Sequence, residues 1–290
     1  MKAATRSRLS EGKCALGAVS SAEAKLLADW IDQGFVVLPQ AVPHDLIDRL
    51  DMDVDSVWAG TSAKRAFVEF WEDGKLTIQK ASPRFKDERV KLLDLYGQFE
   101  SARQIVFSPA ILRFLALLFE RPVVAFQSLY FRWGSQQDIH QDTAFVKVSS
   151  PLEFAASWIA LEDIRPGSGE LEYYVGSHQL DDHLFDRDQE WMPLPFDAAT
   201  YEGFIASLDR RSRERGLPRA GFLPKKGDVL IWSADLAHGG SKNATPGVTR
   251  KSLVTHYCPA NCQALYGGGT TSRHKYTPAA YYTSASRDSS

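Results

Sequence analysis

Val123-Val124-Ala125-Phe126-Gln127-Ser128-Leu129-Tyr130-Phe131-Arg132-Trp133 follows Pro122, and from here the chain changes character. The run is dense in β-branched and aromatic residues, which suit a pleated surface, so it reads as a strand. Ile139–Val148, Phe154–Asp163, Leu171–Val175, Asp228–Trp232 and Arg250–Tyr257 read the same way, bounded by Gly, Pro, Ser or Asp. No strand–helix alternation accompanies them, which argues against a doubly wound parallel sheet. The expected core is an antiparallel sandwich or barrel over residues 123–260, mainly β with flanking helices.

Upstream the periodicity is helical. Ser20 or Ser21 can cap a helix whose stripe is Leu26, Leu27, Trp30 and Ile31, with Gly34 as its stop. Phe35–Leu38 reads as a short buried strand ending at Pro39. Pro43 opens a second helix carrying Leu46, Ile47, Leu50, Val54 and Val57, and Ser108-Pro109 opens a third with Ile111, Leu112, Leu115, Leu118 and Phe119. Residues 20–122 therefore read as a helical layer, 1–19 as a loose tail and 261–290 as a C-terminal tail. Leu180–Gly221 breaks the strand rhythm with many charges and a helix near Ala198–Arg213. It reads as a long insertion, the kind of connection that serves as a lid.

The chain has 290 residues, 44% hydrophobic and 24% charged, with 34 Lys and Arg against 36 Asp and Glu. That size fits one large domain or two small ones, and near neutrality argues against a dedicated nucleic-acid binder. Arg210, Arg211, Arg213, Arg215 and Arg219 form the one basic run, read as a solvated loop or helix end, with an anionic handle as the alternative. Cys14, Cys258 and Cys262 make no disulfide framework and fit a reducing compartment; one C-x3-C pair is far from a closed zinc site. The longest apolar run, Ala110–Phe119, is interrupted by Arg113 and falls short of the ~18 residues of a membrane span. No apolar stretch follows the basic Met1–Ser10 segment as it would in a signal peptide. The expectation is a cytoplasmic protein with no membrane or nucleic-acid partner.

The sharpest local feature is Ile139-His140-Gln141-Asp142. On a strand, residues i and i+2 share a face, so His140 and Asp142 would present an imidazole and a carboxylate together. That is two-thirds of the two-histidine, one-carboxylate set that holds Fe(II). Alone, such a pair is more often an ordinary polar pair on a solvated face. His238, in Ala237-His238-Gly239-Gly240-Ser241, follows the buried run Asp228–Trp232 and can face a barrel mouth, though a lone turn histidine is the commoner case. Twelve residues on, Arg250, Ser252, Val254 and His256 share one strand face. If that face is inward, Arg250 is a buried guanidinium in need of an anion, for which a bidentate carboxylate is the natural partner. A salt-bridged Arg at an exposed strand start explains the residue equally well in isolation.

Taken together, these segments resemble the phytanoyl-CoA dioxygenase family of Fe(II)- and 2-oxoglutarate-dependent oxygenases, from about Gly34 to Tyr257. The resemblance includes Ser157-Trp158-Ile159-Ala160-Leu161-Glu162-Asp163, Gly167-Ser168-Gly169-Glu170-Leu171-Glu172-Tyr173 and Gly176-Ser177-His178. It implies a double-stranded β-helix, the jelly-roll barrel of cupin type, in a single domain over residues 20–290. It makes His140, Asp142 and His238 the iron ligands and Arg250 the clamp on 2-oxoglutarate. It places Trp158 and Gln127 beside the cosubstrate, and Lys80 as a residue that reaches it. Relatives often carry a serine two residues after the distal histidine; here that position is Gly240, so Ser241 or Ser252 would have to supply the hydroxyl beside Arg250. Asp142 itself argues against a halogenase, in which a small residue replaces the carboxylate. His178 is expected to hydrogen-bond a loop and His256 to be a core or supporting histidine. His183, His44 and His274 carry no site.

The function implied is first of all hydroxylation of an unactivated C–H bond in a small organic metabolite, with Fe(II) as cofactor and 2-oxoglutarate and O2 consumed to give succinate and CO2; desaturation, epoxidation and ring formation stay open. Phe131, Trp133, Phe145 and Tyr173 are candidate substrate contacts by strand position. A monomer and a homodimer are equally compatible with the sequence. Two other readings stay open: a non-catalytic binding protein on the same barrel, and a cupin-type metal-dependent hydrolase or isomerase, which leaves Arg250 without a role.

Overall fold

In the computed structural model, which describes residues 19–72, 75–149, 153–187, 189–193, 197–265 and 271–285, side-chain alternation along the strands separates two cores. The helices are α1 (Ser21–Gln33), α2 (His44–Trp58), α3 (Glu100–Val106), α4 (Pro109–Phe119) and α5 (Ala198–Glu214). The early strands are β1 (Phe35–Leu38), β2 (Phe67–Glu72), β3 (Lys75–Lys80), β4 (Lys91–Leu93) and β5 (Val123–Phe131). Next come β6 (Lys147–Val148), β7 (Ala155–Ala160), β8 (Leu171–Tyr174), β9 (Arg219–Phe222) and β10 (Val229–Ser233). The last are β11 (His238–Gly240), β12 (Ser252–Pro259), β13 (Ala264–Leu265), β14 (Thr271–Thr277) and β15 (Ala280–Ala285).

The main sheet runs β1-β10-β7-β12-β5-β4-β2-β3, with β15 beside β5 and β14 beyond it; β11-β8-β9 form a second sheet, and β13-β6 a short ribbon. On β7, β10 and β12, Ile159, Ile231, Leu253 and Tyr257 point into the core shared with the helices. Their neighbours Trp158, Leu230, Trp232 and Val254 point the other way, against Leu171, Tyr173 and Phe222 of the second sheet. A period of two thus gives helices on one face of the main sheet and a second sheet on the other, a jelly-roll sandwich.

The helical layer is specified locally. Ser20 and Glu23 form a reciprocal capping box on α1. Gly34 ends that helix at φ +84, where a Cβ would also lie 2.5 Å from the His178 ring; His178 Nε2 bonds the Ile31 carbonyl at 2.9 Å. No single described helix is long and apolar enough to cross a membrane. The bent pair α3–α4 passes such a test only jointly, and its Ile105, Ile111, Phe114 and Leu115 belong to the core under the main sheet.

Several expectations are corrected. Ile139–Val148 is not one strand. His140 makes an isolated two-way bridge with His238 (2.8 and 2.9 Å), and the chain then turns into a 3-10 helix at Asp142–Ala144. Gln141 Nε2 to the Asp235 carbonyl (2.7 Å) and Thr143 Oγ1 to Asp235 Oδ1 (3.1 Å) draw it round that corner. The layer 20–122 also contains β2–β4, which extend the main sheet. The supposed C-terminal tail supplies β13–β15, with β15 pairing parallel to β5 at Val123–Ala125. The insertion ends earlier than expected, since Arg219–Phe222 is β9. Residues 1–18 of the expected N-terminal tail, with Cys14, and 286–290 lie outside the described residues.

Candidate metal centre and its cavity

Three side chains converge where β11 meets the corner after His140. One ligand atom from each of His140, Asp142 and His238 lies within 4.8 Å of the others, and all three residues are buried. Asp142 Oδ1 is 3.7 Å from the Nε2 of both histidines. Each histidine's Nδ1 faces a backbone carbonyl: Asp138 O at 2.7 Å for His140, Leu236 O at 2.9 Å for His238. A carbonyl only accepts, so Nδ1 carries the proton and Nε2 presents its lone pair to the shared gap. Gln137 Nε2 donates to the His140 lone pair at 3.2 Å. Gly239 explains how β11 comes so close: a Cβ there would lie 2.6 Å from the Gln137 carbonyl. The glycines after His238 therefore serve backbone approach along a strand.

The other carboxylate oxygen of Asp142 is held from a different direction. Trp232 Nε1 on β10 donates to Oδ2 at 2.8 Å, and His256 Nε2 on β12 lies 3.6 Å from the same atom. His256 Nδ1 in turn donates to Gln127 Oε1 at 2.6 Å. Gln127 faces this site because of a bulge. Tyr257 pairs with Ala125 but His256 pairs with Gln127, so Phe126 is the extra residue and the facing of β5 switches there. Burial opposes ionisation of Asp142, but the close approach of His238, and then of His140 and His256, outweighs it and holds the carboxyl well below the usual range. Burial pushes His238 down to about 4, against the attraction of Asp142. At neutral pH the centre therefore offers an anionic oxygen and a neutral His238, the states a metal ion requires of its ligands.

Arg250 lies just before β12, 2% exposed. Its Nη1 donates to Ser252 Oγ at 3.0 Å, and its Cζ sits 5.4 Å from the Phe131 ring centroid and 5.3 Å from that of Trp158. Its Nε has no hydrogen-bond partner among the described residues. Burial lowers its pKa to about 10, opposed by Glu162 and Glu170, so it stays cationic at neutral pH. Arg250, Trp158, Gln127, Phe131, Phe145 and the three converging residues all line one cavity of about 1530 Å³. Ser252 meets the cavity through Arg250.

Three further candidates, besides Ser252, fall outside that lining. Lys80 is exposed at the end of β3, one pleat beyond Ile78. Trp133 lies past the end of β5, under the Arg132 guanidinium at 5.6 Å. Tyr173 packs on Phe35 at 4.7 Å between the two sheets. Trp232 and Gln137 were missing from the sequence reading. Trp232 reads there only as a strand hydrophobe, since nothing in its neighbourhood announces an indole N–H aimed at Asp142. The insertion reaches the cavity through Ala198 and Tyr201 of α5, and Tyr201 Oη donates to Asp138 Oδ2 at 3.2 Å. The arginine run is divided: Arg213 and Arg210 are exposed on α5 and pair with Asp209 (2.8 Å) and Glu214 (3.9 Å), Arg211 is half-buried and donates to the Asp181 carbonyl (2.8 Å), and Arg219 on β9 pairs with Glu172. Cys258 and Cys262 are buried, and Cys262 Sγ donates to Glu153 Oε2 at 3.6 Å.

The sequence model of the phytanoyl-CoA dioxygenase family matches residues 30–252. The peroxisomal phytanoyl-CoA dioxygenase of Mus musculus is 21% identical over 249 residues, 83% of this chain and 69% of that protein. Among solved structures, the epimerase SnoN in complex with Fe3+, alpha ketoglutarate and nogalamycin RO superposes with a TM-score of 0.62 at 17% identity, over 91% of this chain and 98% of that one. The carbocyclase SnoK, also from nogalamycin biosynthesis, gives 0.61 at 18% identity, over 85% and 86%. At these identities the structural likeness shows a shared fold.

Proposed function

The chain belongs to the phytanoyl-CoA dioxygenase family, and on that premise we propose that this mononuclear non-haem iron, 2-oxoglutarate-dependent dioxygenase hydroxylates a C–H bond of a small organic molecule. His140, Asp142 and His238 hold the iron, and Arg250 holds the far carboxylate of 2-oxoglutarate. The observation that carries this reading is the pairing, in one cavity, of the triad with a buried guanidinium whose only side-chain hydrogen-bond partner among the described residues is a hydroxyl. A buried cation without an anion is strongly unfavourable, so the site is suited to receive a carboxylate. A metal-dependent hydrolase would leave Arg250 idle.

The donor set fits iron: two imidazole nitrogens and one carboxylate oxygen, the facial set that leaves positions open for other ligands. When bound, the metal and cosubstrate supply the oxidant, with O2 consumed, 2-oxoglutarate converted to succinate and CO2, and one oxygen atom delivered to the substrate. The protein's own part is positional. The Asp138 and Leu236 carbonyls fix the histidine tautomers. Trp232 donates to Asp142 Oδ2 and the His256 ring lies against the same oxygen, which leaves Oδ1 toward the two Nε2 atoms and favours a single-oxygen contact. The Phe131 and Trp158 rings flank Arg250 and exclude water from the ion pair it would form. Residues from α1 to β15 act as one oxygenase unit in this reading, because the supporting side chains come from β5, β10 and β12 alike.

The test is succinate formation from 2-oxoglutarate by the purified chain. Release that requires both Fe(II) and O2, and disappears in Asp142→Ala, is the expected result. Succinate formed without iron, or none under any condition, sinks the proposal.

A further inference from the structure

The cavity continues well past the converging residues, along the same face of the main sheet. Strand register lays its side chains in a row: Phe131 on β5 opposite Lys91 on β4, Lys91 opposite Glu69 on β2, and Glu69 opposite Ile78 on β3. Trp71 and Leu76 stand opposite each other on the hairpin one pleat further on. From β12, which carries the Arg250 end, to β3 there are four strand spacings, or roughly 19 Å at about 4.8 Å each. A five-carbon diacid clamped at Arg250 fills only the inner part of such a trough.

The outer part carries large apolar side chains that stand exposed among the described residues. Trp71 is 57% exposed, Leu76 51%, Ile78 44% and Leu265 56%, and all four line this cavity. They are four of the seven large hydrophobic side chains that stand exposed among the described residues. Scattered exposed hydrophobics need no explanation, but a cluster at the mouth of one cavity marks a binding surface. Midway along the trough, Lys91 Nζ and Glu69 Oε1 pair at 3.1 Å, largely shielded from water. The outer lining balances Glu69, Glu72 and Glu88 against Arg84, Arg89 and Lys91, so it selects for no net charge.

We propose that the substrate is an extended, mostly apolar molecule with a hydroxyl or carbonyl partway along its skeleton. Its reacting carbon lies at the triad, its oxygen meets the Lys91–Glu69 pair, and its far end rests on Trp71, Leu76 and Ile78. The inference rests on the proposed function only for the placement of the reacting end. A free amino acid or short acid is too small to touch the hairpin, so these side chains make the enzyme selective for length and apolar area.

The test is equilibrium dialysis of the full chain, loaded with Mn(II) and 2-oxoglutarate without O2, against testosterone and 1-dodecanol as extended probes and L-proline and L-lysine as compact polar ones. At least one extended probe binds, the amino acids do not, and a Trp71→Ser/Ile78→Ser double variant weakens the bound probe by about tenfold or more. Met52→Ser, which removes an exposed hydrophobe elsewhere, leaves the binding unchanged. Failure of both extended probes, or undiminished binding in the folded double variant, overturns the proposal. So does light scattering that shows the double variant breaking a dimer while probe binding stays the same, because the hairpin is then a subunit contact. Mn(II)-dependent uptake of 2-oxoglutarate, read in the same cells, separates the two claims. Its absence in the unmodified chain defeats the proposed function, and its presence without apolar binding defeats only the substrate class.

Discussion

At the Arg250 end of the cavity, side chains are buried and each is held by a second residue: Arg250 by Ser252, Asp142 by Trp232, His256 by Gln127. At the hairpin end, Trp71, Leu76 and Ile78 stand more than two-fifths exposed on β2 and β3, the far edge of the sheet. The side chains that support the inner end, Trp158, Trp232 and His256, sit on β7, β10 and β12, strands with neighbours on both sides and cores on both faces. Such packing on both faces suits a site that must hold a metal in fixed geometry. The outer end has one packed face and one open face, and can change its side chains at little cost to the fold. Chemistry and selectivity are thereby placed on parts of one sheet that differ in how strongly packing constrains them.

Perturbing the inner end tests this contrast. The largest effect is expected from Arg250→Met, which removes the buried cation while keeping much of its bulk. Affinity for 2-oxoglutarate falls by about 100-fold or more, measured by titration calorimetry, while affinity for the metal alone stays within a few-fold. Equal loss of both would merge two functions that the geometry keeps apart.

The next effect is on stability and depends on pH. His238 has a pKa of about 4 in the folded chain and about 6.5 when unfolded. The unfolded chain therefore takes up the proton first. Stability present in full above about pH 6.5 is lost as the pH falls toward 4, by at most about 3 kcal/mol. Urea unfolding of the metal-free chain at pH 7 and pH 4.5 reads this loss, and His238→Gln flattens the slope. An unchanged slope in that variant would mean that burial of His238 is not what limits the inner end at low pH.

A smaller change is expected from Trp232→Phe, which keeps the ring and deletes the N–H on Asp142 Oδ2. Removing such a supporting donor weakens metal binding by about tenfold, read with Mn(II) by electron paramagnetic resonance, and lets the carboxylate turn. Wild-type metal affinity in this variant would show that packing alone holds Asp142.

The same contrast explains what was legible in the sequence. His140, Asp142, His238 and Arg250 could be picked out because few residue types serve their roles and because strand alternation groups Arg250 with Ser252 and His256. Their neighbours were harder to see. Trp232 looks like any core aromatic until its N–H is placed, and Gln127 turns inward only because of the bulge at Phe126. His140 and Asp142 meet through a bridge and a 3-10 corner rather than along one strand. The hairpin went unread because Phe67–Glu72 has burial that changes along the strand, from a half-buried Phe67 to an exposed Trp71. The strands after Pro259 were invisible because β14 is largely exposed and carries little hydrophobic pattern. Lys80, Trp133 and Tyr173 show the converse: a residue of suitable type, near the right strand in sequence, can end one pleat beyond the cavity or between the sheets.

The central claim is that the triad and Arg250 work as one site, the first for metal and the second for the keto acid. Anaerobic calorimetry tests it most directly, with Fe(II) added first and 2-oxoglutarate second, on the unmodified chain and on His140→Ala. The account predicts that 2-oxoglutarate binds tightly only after iron, and that His140→Ala abolishes both steps. Binding of 2-oxoglutarate that ignores iron, or iron-dependent binding that survives His140→Ala, would contradict it.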